Sequence, residues 1–250
     1  MKSISGIRKR LNSLEIRSDE EEIMDSSSSE IEQLHKTLDN FRYINLFLSR
    51  SRFLIKRFIL NDLRKSAENK PLSFLDIGAG GCDLPQWISS YCRKSEIPVS
   101  ILCIDNNPEV ISYAKDHCHD KQIEIICSDA FEVLENQRFD FITATHVLHH
   151  FSTPQASKLV KLINKAADRA FLINDLFRSR FNYVSYSFIS LPFSHKSYIH
   201  HDGKLSIRKG FTRGEFQSLF KTIEKSSVLK SATIFPGHIY CTAKKKTSKT

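Results

Sequence analysis

Apolar residues at positions 31, 34, 38, 41, 44 and 48, then 53, 54, 58 and 59, recur at intervals of mostly three or four residues. That spacing lays one apolar stripe along a helix and predicts two helices over 30–67. From position 72 the pattern changes. Short β-branched and aromatic runs at 72–77, 99–105, 123–127, 139–145 and 170–174 are separated by longer helical stretches, among them 154–167. Strands alternating with helices predict a parallel sheet covered on both faces, an α/β fold preceded by a helical cap. Near the end, 228–235 and 239–243 flank Pro236-Gly237 and predict a closing hairpin. The chain thus divides into a flexible leader (1–30), a helical cap (31–70), a sheet domain (71–243) and a basic tail (244–250).

Composition changes this picture little, but charge placement does. Of the formal net charge of +9, residues 1–17 hold +4 and residues 244–250 another +4, so the body is close to neutral. A nucleic-acid enzyme usually carries its basic face on the folded domain, so nucleic acid is not an expected partner. No apolar run approaches the roughly 20 residues that span a bilayer, and no transmembrane segment is expected. In the leader, Ile4, Ile7, Leu11 and Leu14 share one helical face opposite basic residues. Two readings stay open for it: peripheral contact with an anionic membrane, or docking on its own domain. Six scattered cysteines without a C-x-x-C pair read as reduced thiols and a cytoplasmic chain.

The richest chemistry lies in Leu72-Ser-Phe-Leu-Asp-Ile-Gly-Ala-Gly-Gly-Cys-Asp83. A strand ends in Asp76, Gly78 and Gly80 turn the chain, and a helix follows, the first unit of a nucleotide-binding βαβ fold. A dinucleotide fingerprint requires a glycine where Asp83 stands. Asp76 would repel a pyrophosphate and would instead pair with an ammonium group. With Asp76, Gly78 and Gly80 in an acid-x-Gly-x-Gly pattern, the segment resembles the first motif of the class I S-adenosylmethionine-dependent methyltransferases, with Cys82 in place of the third glycine. The resemblance implies a Rossmann-like, mostly parallel seven-stranded sheet whose last strand is antiparallel, and S-adenosyl-L-methionine as cofactor.

Two further strand ends carry acids. Asp105 closes the second strand and suits two ribose hydroxyls, and Asn106 beside it suits the adenine edge. Asp129 closes the third strand. The resemblance gives it the adenine amino group, with the Ala130 N–H beside it, while capping of the helix at Ala130 is the alternative. Arg138-Phe-Asp-Phe-Ile-Thr-Ala-Thr-His-Val-Leu-His-His-Phe151 resembles the fourth motif of the small-molecule members, including the quinone-biosynthesis type. It places His146, His149 and His150 where a methyl acceptor should lie, as candidate general bases or as structural turn residues. No metal is expected, since no nearby carboxylate or cysteine completes a zinc set.

An Asn/Asp-Pro-Pro-aromatic tetrapeptide and a nucleophilic cysteine, which nucleobase methylation commonly uses, are both missing after strand four. The aromatic stretch from Phe181 to Tyr198 either walls a flat apolar pocket or fills core. The expected activity is O- or C-methylation of a small or lipid-like phenol, polyketide or quinone precursor. An RNA- or protein-modifying methyltransferase and a non-catalytic scaffold, for which Cys82 is the best argument, are the alternatives.

Overall fold

The computed structural model describes residues 14–26, 29–63, 71–193, 197–223 and 227–245. Residues 1–13, with Ile4, Ile7 and Leu11, and the tail beyond Lys245 lie outside the described residues. Seven strands form one sheet in the order β3-β2-β1-β4-β5-β7-β6. They are β1 (Leu72–Ile77), β2 (Val99–Asp105), β3 (Ile123–Cys127), β4 (Phe139–Thr145), β5 (Ala167–Leu176), β6 (Ser227–Ile234) and β7 (His238–Lys245). The first five pair in parallel, and β7 runs antiparallel between β5 and β6. This is the Rossmann-like arrangement expected, with β7 extending two residues into the segment read as a tail.

Alternation explains why the sheet is covered twice. Leu75, Ile142, Phe171 and Ile173 point to one face, where they pack with Leu159, Ile163 and Phe216. Phe74, Phe141 and Leu172 point to the other, against Leu54, Ile55, Ile59 and Ile88. Among the described residues the partners come mainly from α-helices of five residues or more, nine in all. They are α1 (Ile31–Ile44), α2 (Ser51–Ile55), α3 (Asp83–Lys94), α4 (Pro108–His117), α5 (Ala130–Asn136), α6 (Thr153–Ala166), α7 (Arg180–Ile189), α8 (Ile199–Lys209) and α9 (Arg213–Phe220). Between α1 and α2, and again after α2, the cap winds through wider π turns at Asn45–Ser49 and Lys56–Leu60. Among the described residues no helix is long and apolar enough to cross a membrane.

The described part of the leader is not a free extension. Leu14 is buried. Arg17 donates to the carbonyls of Lys209 (2.8 Å), Phe151 (3.1 Å) and His149 (3.2 Å) and stacks over Phe211. Beyond it, the Ile23 and Met24 N–H groups donate to the buried Asp202 carboxylate. Docking on its own domain is therefore the reading that holds for 14–26, because backbone carbonyls of the turn after β4 and of the end of α8, with one buried acid, supply its partners. Arg17→Ala should lower stability by about 1–3 kcal/mol, read as a lower melting temperature, whereas a solvated leader would show no change.

Candidate functional site

The carboxyl ends of β1, β2 and β4 open onto one cavity of about 1340 Å³, roofed by α1 and by the leader. It is larger than the few hundred to about 1000 Å³ of ordinary small-molecule sites, enough for two ligands side by side. Its floor is the glycine turn. Gly78 has φ +70° and Gly80 φ +50°, values that side chains other than glycine rarely adopt. A Cβ on Gly78 would strike Val147 at 2.4 Å, so the turn also packs against the histidine segment. A Cβ on Gly80 would meet nothing within 4 Å, so its backbone faces open cavity. Cys82, where the resembling family has its third glycine, takes φ +58° at the start of α3 with its side chain fully buried. The backbone geometry of the turn is thus kept at some steric cost, and Cys82 is no argument for a dead site.

Asp76 is buried, and burial pushes its carboxyl up to about 7. The Thr143 hydroxyl donates to it and pulls the other way, while the Asp105 charge adds to the rise. No salt bridge to Asp76 exists among the described residues, so this acid lacks the cation that would keep it ionised. Asp105 accepts from the N–H groups of Asn107 (3.1 Å) and Gly80 (3.3 Å), tying the second strand end to the glycine turn. Burial raises its carboxyl and those two N–H groups oppose the rise. Asn106 stands exposed at the cavity mouth, while Asn107 caps α4. Asp129 and Ala130 also line the cavity. Asp129 Oδ1 caps α5, accepting from Phe131 and Glu132 N–H, so the capping role is realised.

The three histidines part company. His146 holds φ +58°, and its Nε2 lies 2.9 Å from Nε2 of His238 on β7. Burial drives His146 down to about 4 and His238 well below the usual imidazole range. Both are neutral near pH 7, with one ring donating to the other. His149 is 3% exposed, and its Nδ1 lies 2.7 Å from Asp175 at the end of β5. Asp175 also accepts from the His149 N–H at 3.1 Å. Burial alone would raise the Asp175 carboxyl, but the His149 charge and hydrogen bond outweigh it and hold the acid below the usual range. An ionised carboxylate only accepts, so His149 Nδ1 carries a proton. His150 Nδ1 lies 2.9 Å from Asp25 in the leader. Burial opposes protonation of His150, yet the Asp25 bond and the charges of Glu22 and Asp25 raise it overall.

Sequence reasoning missed Asp175, His238, Glu22 and Asp25, all of which line or support this corner. It also expected no carboxylate near the histidines. Glu22 and Asp25 reach them through the fold, more than 120 positions away along the chain. Of the aromatic stretch, Tyr186 lines the cavity. Tyr198 is buried beside Leu34, Leu38 and Val110, and Phe181 and Phe188 face outward, so the stretch as a whole does not wall the pocket. Instead Leu38, Phe41, Ile44, Leu46 and Leu48 of the cap supply its apolar side.

Residues 75–169 match a family described as "Methyltransferase domain". No curated protein sequence matches the chain. Among solved structures, the plantazolicin methyltransferase BpumL in complex with S-adenosylhomocysteine is similar at 18% identity and TM-score 0.64, over 97% of this chain and 98% of that one. A putative O-methyltransferase from Nostoc punctiforme PCC 73102 aligns at 17% identity and TM-score 0.56, over 97% and 69%. Magnesium protoporphyrin IX methyltransferase from Synechocystis PCC 6803 aligns at 11% identity and TM-score 0.50, over 97% and 95%. These likenesses fix the fold.

Proposed function

We propose that this chain, whose residues 75–169 match a methyltransferase-domain family, transfers the methyl group of S-adenosylmethionine to a small or lipid-like acceptor held in the cavity. The observation that carries this reading is Asp76, a buried acid with no salt-bridge partner among the described residues, at the foot of an open glycine turn. S-adenosylmethionine brings an ammonium group, which such an acid fits, and an activated methyl on a sulfonium. Asp105 would accept from ribose hydroxyls, Gly78 and Gly80 would let the backbone approach closely, and Asn106, Asp129 and Ala130 would border the adenine. Asp129 Oδ1 is already committed to its cap, which leaves Oδ2 for that task.

The acceptor is a phenol, polyketide or quinone precursor, methylated on oxygen or carbon. Support comes from the cavity's two linings, apolar residues of the cap on one side and the histidine turn on the other. Aligning acceptor and methyl carbon makes the displacement effectively intramolecular. Of the three histidines, His149 is best placed as base, because Asp175 fixes its Nδ1–H and leaves Nε2 to receive a proton. His146 spends Nε2 on His238 and is held too weakly basic by burial.

S-adenosylhomocysteine at about a hundredfold over its dissociation constant should stabilise the chain by about 2.7 kcal/mol. NAD should give no shift in melting temperature. A shift with NAD, or with neither ligand, would overturn the reading. Mass spectrometry of products formed from candidate phenols then identifies the acceptor.

A further inference from the structure

Glu22, His149 and His150 converge in the cavity wall, one ligand atom of each lying within 4.8 Å of the others. Each is held there by a different neighbour. The segment carrying Glu22 is pinned by Asp202, which takes the N–H groups of Ile23 (3.1 Å) and Met24 (2.9 Å). Asp175 orients the ring of His149, and Asp25 holds His150. Carboxylates gripping one ring nitrogen of each histidine form the outer shell that metal-binding histidines usually have.

The contact between His149 and Glu22 is one that a positive species stabilises. His149 Nδ1 donates to Asp175, so in the neutral ring Nε2 presents a lone pair, and Glu22 Oε1 faces it at 3.6 Å. Glu22 is 2% exposed, and Oε1 accepts no hydrogen bond. Two acceptors facing each other in a buried site repel unless a proton or a cation lies between them. The nearest side-chain cation is Lys209, whose Nζ is 3.3 Å from the same Oε1.

We infer that Glu22, His149 and His150 form a binding site for one divalent transition-metal ion of the zinc type. Two imidazoles and one carboxylate are a set that zinc accepts, whereas magnesium and calcium require mostly oxygen. Three protein ligands leave a position open on the cavity side, where an acceptor hydroxyl could bind and lose its proton more readily. Tetrahedral bonds of about 2.0–2.2 Å set the three atoms about 3.3–3.6 Å apart, closer than the 4.8 Å within which they now lie. The half-exposed side chain of His150 supplies that closure. The inference goes beyond the base role proposed above: the same Nε2 serves as a ligand, and Asp175 keeps its orienting task.

The full chain, passed over a chelating resin, should be titrated with Zn²⁺ by calorimetry and with Co²⁺ by visible absorption. One equivalent should bind, and Co²⁺ should show the intense d–d bands of low coordination. His150→Gln and Glu22→Gln should each weaken Zn²⁺ binding at least ~10-fold, and His119→Gln, away from the cluster, should not. Lys209→Met should tighten binding by removing the competing cation. Absence of stoichiometric uptake, or uptake that survives both His150→Gln and Glu22→Gln, would overturn the inference. Should Glu22→Gln fail to fold, His150→Gln decides, since its side chain is partly exposed and its loss leaves the leader's other bonds in place. Uptake is read without donor or acceptor, so a negative result leaves methyl transfer standing.

Discussion

His149→Gln is expected to lower kcat by about 10²–10⁴ while leaving S-adenosylhomocysteine affinity nearly unchanged. The side chain has a fixed geometry, with Nδ1 on Asp175 at 2.7 Å and Nε2 toward the cavity corner. Glutamine keeps some polarity there but has neither the basic lone pair nor the ring that Asp175 orients. Asp175→Asn should lower kcat as well, because an amide can accept or donate and no longer dictates which imidazole nitrogen carries the proton. The two losses should not add. If His149 acts through the orientation that Asp175 gives it, the double variant is no slower than His149→Gln alone. A structural role predicts lower melting temperatures with normal turnover per folded molecule. Measuring rate, ligand affinity and melting on the same four proteins separates these outcomes, and a full kcat in His149→Gln removes it from the reaction.

How much of this site was legible in the sequence follows from how each residue is placed. Asp76 and Asp105 each end a strand whose buried faces fix its register, and strand ends in such sheets converge, so their meeting could be foreseen. Strand β5 is longer than its apolar run, because Asp168 and Arg169 at one end and Asn174 and Asp175 at the other interrupt the pattern. Asn174 and Asp175 are nonetheless fully buried: Asn174 Nδ2 donates to the Ser49 carbonyl and the Ser51 hydroxyl while its Oδ1 accepts nothing, and Asp175 pairs with His149. Asp175 was within reach of the same strand-end rule, since it closes the strand beside β4. Glu22 and Asp25 were not. They sit in an acidic, serine-rich segment without periodicity, and contacts distant in sequence, from Arg17, Asp202, Arg208 and Lys209, bring that segment onto the site. His238 was equally hidden, a lone histidine after a turn whose partner His146 is 92 positions away.

Asp105→Ala should weaken S-adenosylmethionine binding by about 2–4 kcal/mol, the worth of two hydrogen bonds to a carboxylate. In the protein alone that carboxylate already takes Gly80 N–H at 3.3 Å and Asn107 N–H at 3.1 Å. Removing it therefore loosens the glycine turn as well as deleting acceptors for the ribose. Asp105→Asn separates the two effects, because one amide oxygen can still tie the turn while the second acceptor and the charge are gone. If the ribose contact dominates, Asn should lose most of what Ala loses. If the turn dominates, Asn should bind nearly as the natural chain does. Burial raises the Asp105 carboxyl, and two accepted ribose bonds favour its ionised form, so affinity should fall as the pH drops through its titration. Alanine should abolish that dependence. Calorimetry with S-adenosylhomocysteine across this pH range reads all three expectations, and unchanged affinity in a folded Asp105→Ala would remove Asp105 from the site.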